Sequence, residues 1–128
     1  YALAAMQHLQ DNYTLDAGRI YISGFSGGGR VASIAAAQYP RIFKGAAYIC
    51  GANFWDILSD EQLDLVKENR FIFITGTQDF NLNDTKIVYG KYKRSGAQNI
   101  KLMVINRMGH ATPKRRKFLQ AIHFLDEK

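Results

Sequence analysis

The sequence predicts an α/β fold in which a parallel sheet is covered by helices on both faces. Segments with β-branched and aromatic content alternate four times with segments of helical period. The strand segments are apolar along their length instead of alternating apolar and polar, the pattern of strands buried on both sides. A glycine-rich turn, Gly24-Phe25-Ser26-Gly27-Gly28, joins the first of these strands to a helix.

Taken in order, residues 1–13 place Leu3, Met6 and Leu9 on one side of a helix, and Asp16-Ala17-Gly18 follows as a polar turn. Residues 19–23 read as the first strand. Val31, Ile34 and the alanines after them repeat at helical spacing until Tyr39-Pro40 stops the helix. The apolar run 44–50 is a buried strand, and 51–56 leaves it as a loop. Ser59 with Gln62 forms a capping box for a helix that carries Leu63 and Val66 and ends near Asn69. Residues 70–75, RFIFIT, are the third strand, 83–94 a helix and 100–106 the fourth strand. Thr112 then caps a last helix with Pro113 at its first position and a buried stripe of Phe118, Leu119, Ile122 and Leu125.

Composition fits one globular domain over residues 1–128: 47% hydrophobic and 22% charged residues, 11 Gly, 2 Pro, and no repeat or low-complexity tract. Such a chain buries roughly two-thirds of its unfolded surface, enough for a core. The single Cys50 has no disulfide partner and lies in an apolar run, where it reads as a small buried side chain and not a nucleophile. The net charge is +6. Its two basic clusters, Lys91-Lys93-Arg94 and Lys114 to Lys117, read as solvated surface without the interleaved aromatics of a nucleic-acid reader. No apolar run approaches the roughly 18 residues of a membrane span, and the N-terminus lacks the basic start and cleavage site of a signal peptide. The chain has no initiator Met and opens inside a helix, which leads us to expect the C-terminal portion of a larger catalytic domain.

Chemistry concentrates at Ser26. A strand that reverses into a helix over so few residues strains its central residue, and glycines at 24, 27 and 28 are expected to relieve collisions around it. The arrangement lifts the hydroxyl above the sheet at a helix N-terminus, with the Gly27 N–H available to a developing oxyanion. A phosphate-binding loop would need Lys and then Ser or Thr after the last glycine, where this chain has Arg30 and Val31. Gly27, Gly29 and Ala32 match G-x-G-x-x-A, but the acidic residue that a dinucleotide site wants about 20 positions on is replaced by Phe43, Lys44 and Gly45.

Partners for Ser26 are sought at the C-terminal ends of the strands, where parallel sheets carry their sites. Asp79 follows the third strand in TGTQDF and His110 follows the fourth in RMGH. Asp84 and Asp56 compete with Asp79 for the acid, Asp84 with a capping role of its own at a helix start; His8 and His123 lie within helical patterns. Phe25, Phe54, Trp55 and Phe80 are candidate substrate contacts that could equally be core. No His, Cys and carboxylate cluster has metal-ligand spacing, so neither a metal nor an organic cofactor is expected.

Together, DAGRIYISGFSGGGRVA, AQYPRIFKGAAYICG, FIFITGTQDF and MGHATP resemble the C-terminal half of an α/β-hydrolase, and the chain order Ser, acid, His is that superfamily's. Within it the chain is similar to the esterase branch of polyhydroxybutyrate depolymerase-like and feruloyl esterase-like proteins. The resemblance implies ester cleavage through an acyl-enzyme, with Ser26 as nucleophile, His110 as base and Asp79 as its orienting acid. It also implies strands and a second oxyanion donor upstream of residue 1, without which the isolated chain should be sluggish and poorly soluble. A prolyl oligopeptidase-type peptidase and a non-catalytic binding scaffold are the alternatives.

Overall fold

The computed structural model describes residues 1–127. The elements run α1 (Ala2–Asn12), β1 (Tyr21–Phe25), α2 (Gly27–Gln38), β2 (Gly45–Ile49), α3 (Asp60–Glu68), β3 (Arg70–Gly76), α4 (Leu82–Arg94), β4 (Asn99–Ile105) and α5 (Arg115–Asp126). The four strands form one sheet in the order β1-β2-β3-β4, with every neighbouring pair parallel.

Alternate residues of each strand point to opposite faces, so two separate cores explain why the strands are apolar throughout. Tyr48, Phe71 and Phe73 meet Ala32 and Ala36 of α2, Val66 of α3, and Val88 and Tyr92 of α4. Their in-between neighbours, among them Ile49, Ile72, Ile74 and Met103, turn the other way onto Ala121 and Leu125 of α5. The first core contains a buried phenol pair, with the Tyr48 and Tyr92 hydroxyls 3.1 Å apart. Each thereby satisfies a hydroxyl that burial has stripped of water, and burial pushes both phenols above the usual tyrosine range. At α3 the expected capping box is complete: Ser59 Oγ accepts from the Gln62 N–H, and Gln62 Oε1 accepts from the Ser59 N–H.

Several elements depart from the sequence reading. β1 runs to Phe25, two residues past the expected end, because Gly24 and Phe25 still pair with Tyr48 and Ile49. Val31 and Ile34 do not face the sheet; α2 packs through Gly29, Ala32, Ser33, Ala36 and Ala37, since at its close approach only small side chains fit. In α1 Met6 alone of the expected trio is buried, with Leu3 and Leu9 exposed. The α5 stripe is Ala121 and Leu125, whereas Phe118, Leu119 and Ile122 are each more than a third exposed.

Helix α5 begins at Arg115, so Thr112 is not its cap and Pro113 is not its first residue. Long-range contacts override the local capping signal. The loop ahead of α5 is held where Gln78 N–H donates to the Met108 carbonyl at 2.9 Å and Arg107 N–H donates to Thr77 Oγ1 at 2.8 Å. Helix α4 likewise starts at Leu82 after Asn81, and Asp84 makes no cap.

Candidate active site

The register of β1 carries the chain straight into the turn. Ser26 N–H donates to the Ile49 carbonyl at 2.7 Å, extending the ladder by one residue, and Ser26 then adopts φ 55° and ψ −115° before α2 begins at Gly27. A side chain in that left-handed region costs about 1–3 kcal/mol, held here by the surrounding structure. Gly24 and Gly29 make the geometry possible. A Cβ on Gly24 would run into the Gly28 carbonyl group, and one on Gly29 into the Gly51 carbonyl at the end of β2. Positions 27 and 28, in contrast, face open space, so the expected relief of collisions at those two glycines is not what they supply. Gly24→Ala is therefore expected to cost at least about 3 kcal/mol in urea unfolding, by overpacking against backbone that cannot yield. Gly28→Ala should be neutral or stabilise by up to about 1 kcal/mol, because it removes unfolded-state entropy without a clash. Equal effects of the two substitutions would refute this account.

From Ser26 a chain of hydrogen bonds crosses three strand ends. His110 Nε2 lies 2.9 Å from Ser26 Oγ, and His110 Nδ1 lies 2.8 Å from Asp79 Oδ1. The Asp79 side chain is fully buried, and its two oxygens are held from opposite quarters. Thr75 donates its hydroxyl to Oδ2 at 2.7 Å, and the Asn81 backbone N–H donates to Oδ1 at 3.0 Å. Burial pushes this carboxyl up, but the bonds from Asn81, Thr75 and His110 outweigh it, and Asp79 is held below the usual carboxylate range. Asp84 sits away from this chain on α4, exposed and 3.5 Å from Arg30. Asp56 is also exposed.

Residues 2–63 match the family described as the prolyl oligopeptidase family. A ferulic acid esterase superposes on 98% of this chain and 58% of its own with a TM-score of 0.76 at 14% identity. The feruloyl esterase module from Clostridium thermocellum, solved with sinapinate, matches 94% of this chain and 54% of its own at a TM-score of 0.72 and 12% identity. The fold is that of an α/β-hydrolase. In sequence, 49 residues are 35% identical to poly(3-hydroxyalkanoate) depolymerase C of Paucimonas lemoignei, covering 38% of this chain and 12% of that protein. The chain thus spans less than two-thirds of each of these relatives.

The α/β-hydrolase sheet sorts the remaining candidates. The His110 ring packs against Phe80 at 4.0 Å between centroids and against Phe25 at 5.0 Å, and both phenylalanines are exposed beside it. Phe54 and Trp55 go elsewhere. They pack tilted against each other and edge-on against Tyr92, and they line a cleft of about 500 Å3 with Arg30, Asn53 and Lys91 that none of Ser26, Asp79 and His110 lines. Gly27 opens α2, where a first-turn N–H has no intrahelical acceptor.

Sequence reasoning missed the support beneath the acid. Thr75 and Asn81 flank Asp79 within TGTQDFN, and their roles depend on which way the strand end turns. Cys50 is wholly buried and links the segments: its thiol donates to the Ala111 carbonyl at 3.4 Å, while its own carbonyl accepts from the Asn81 amide at 2.8 Å. Burial, with the Asp79 carboxylate next, pushes this thiol up to about 12, so it is not a thiolate nucleophile. Cys50, Asp79 and His110 do bring ligand-type atoms within 4.8 Å of one another. A metal there would have to displace the His110–Asp79 hydrogen bond and the thiol proton of Cys50.

Proposed function

We propose that this chain supplies the catalytic residues of a serine hydrolase that cleaves carboxylic esters through an acyl-enzyme. The observation that carries the proposal is the unbroken relay Ser26 Oγ, His110, Asp79, with spacings of 2.9 and 2.8 Å and the acid buried. In the first half-reaction Ser26 Oγ attacks the ester carbonyl carbon as His110 Nε2 takes its proton. The carbonyl oxygen gains the charge and turns to the Gly27 N–H at the positive end of α2. Collapse breaks the bond to the alkoxy oxygen, which leaves as an alcohol with the proton from His110. Water then attacks the acyl group, His110 takes its proton in turn, and breakdown returns a proton to Ser26 and releases the acid. Asp79, ionised well below neutral pH, keeps Nδ1 protonated and stabilises the imidazolium. Phe25 and Phe80 flank the imidazole and act as walls for the substrate.

A peptidase of the prolyl oligopeptidase type is the second reading, favoured by the family match over residues 2–63. One experiment on the full-length protein separates them. A fluorophosphonate probe should label Ser26, identified by peptide mass, and preincubation with the probe should abolish hydrolysis of p-nitrophenyl esters while prolyl peptides remain uncut throughout. Labelling with peptide cleavage and no ester turnover would favour the peptidase. No labelling of Ser26 would remove both readings.

A further inference from the structure

We infer that the ester turned over at Ser26 is a small molecule bearing a carboxylate, seated on a cationic cleft beside the His110 loop; the inference rests on the serine-hydrolase reading above. The charge of this protein is segregated. Residues 85–125 hold ten of the 17 Lys and Arg and none of the 11 Asp and Glu. Among the described residues, Arg19, Arg30, Arg41 and Arg70 each pair with a carboxylate, and none of those ten cations does. The ten cations without a carboxylate partner therefore run along α4, β4 and the start of α5.

Part of that free charge lines a cavity. A cleft of about 580 Å3 is built from Ile105, Arg107, Met108, Lys114, Arg116 and Lys117, with Gly109 and Ala111, the two neighbours of His110 in the chain, completing its wall. Among the described residues no carboxylate lines it, and none of Ser26, Asp79 and His110 is in its wall. Ile105 and Met108 offer an apolar surface to methylene groups, and the four cations surround it. Arg107 is fixed at the backbone by its N–H bond to Thr77 Oγ1 at 2.8 Å and holds φ 63°, so its position does not depend on a loose loop. A concave site of this volume suits a small ligand. An anionic group drawn there brings its ester to the loop that carries the base, and the field that draws it weakens as salt is added.

The test uses the full-length protein and two p-nitrophenyl esters of similar length, the neutral butyrate and the anionic hemiglutarate, in about 20 and about 200 mM NaCl. The anionic ester is expected to be preferred by about tenfold in kcat/KM at low salt, mainly through KM, and the preference should shrink at high salt. It should approach unity in the combined variant Arg107→Gln, Lys114→Gln, Arg116→Gln, Lys117→Gln, and survive in Arg107→Lys, Arg116→Lys, which keeps the charge. Ser26-dependent turnover of both esters with a preference that neither salt nor the four substitutions alter would overturn the inference and leave the hydrolase reading standing. Absence of Ser26-dependent turnover of either ester would remove both.

Discussion

Ser26→Ala and His110→Ala are each expected to lower kcat of the full-length protein by roughly 10⁴- to 10⁶-fold, with folding intact. Both side chains are only partly buried, and the backbone bond from Ser26 N–H to the Ile49 carbonyl that shapes the turn survives either change. The size of the loss follows from the relay. On the proposed mechanism Ser26 Oγ forms the acyl-enzyme, and His110 Nε2, 2.9 Å away, is the group that takes the hydroxyl proton. If the three groups act as one unit, as proposed, the double variant should be little worse than either single one. Steady-state kinetics on an activated ester, with circular dichroism to check the fold, measures this. Near-wild-type turnover in Ser26→Ala would remove Ser26 as nucleophile, and additive losses in the double variant would mean that the two residues do not work together.

Asp79→Asn should cost about 10⁴ in kcat, because an amide facing His110 Nδ1 favours the wrong tautomer and withdraws the charge that stabilises the imidazolium. Asp84→Asn should change kcat by less than about threefold, since that carboxylate is exposed and its ion-pair partner among the described residues is Arg30 at 3.5 Å, a pair of the kind worth at most about 1 kcal/mol. The reverse ranking would move the acid to Asp84. The pH dependence follows from the same environment. Hydrogen bonds hold Asp79 below the usual carboxylate range, so it is ionised wherever an unfolded aspartate would be. Its contribution to stability is present above that range and is lost as pH falls through the lower folded value. Any loss of activity well above the usual carboxylate range therefore belongs to another group.

The candidate groups were legible because each lies in a short motif at a strand end. Parallel strands in the order β1-β2-β3-β4 put all their C-terminal ends on one edge, so a serine, an aspartate and a histidine that follow successive strands converge without any long-range information beyond the topology. The capping box at Ser59 was legible for a similar reason, since both of its bonds span three residues.

What escaped the sequence depends on residues far apart in the chain. The need for glycine at 24 is decided within the turn by Gly28, but the need at 29 is decided by Gly51, 22 positions on. Phe54 and Trp55 follow a strand end as Phe80 does, yet they lie half-buried against Tyr92 of α4 while Phe80 lies on His110. Thr112-Pro113 has the local chemistry of a helix start, and the contacts of 107 and 108 with the β3–α4 loop hold that segment out of the helix. The sequence by itself determined the parallel α/β arrangement, the turn at Ser26 and the identity of its candidate partners, because period, glycine and residue order are local properties. Only the tertiary structure decided the hydrogen bonds of Thr75 and Asn81 to Asp79, the bridge from Cys50 to Ala111 and the cleft beneath the free cations. Each of these is a contact between segments whose distance is set by how the sheet and helices pack.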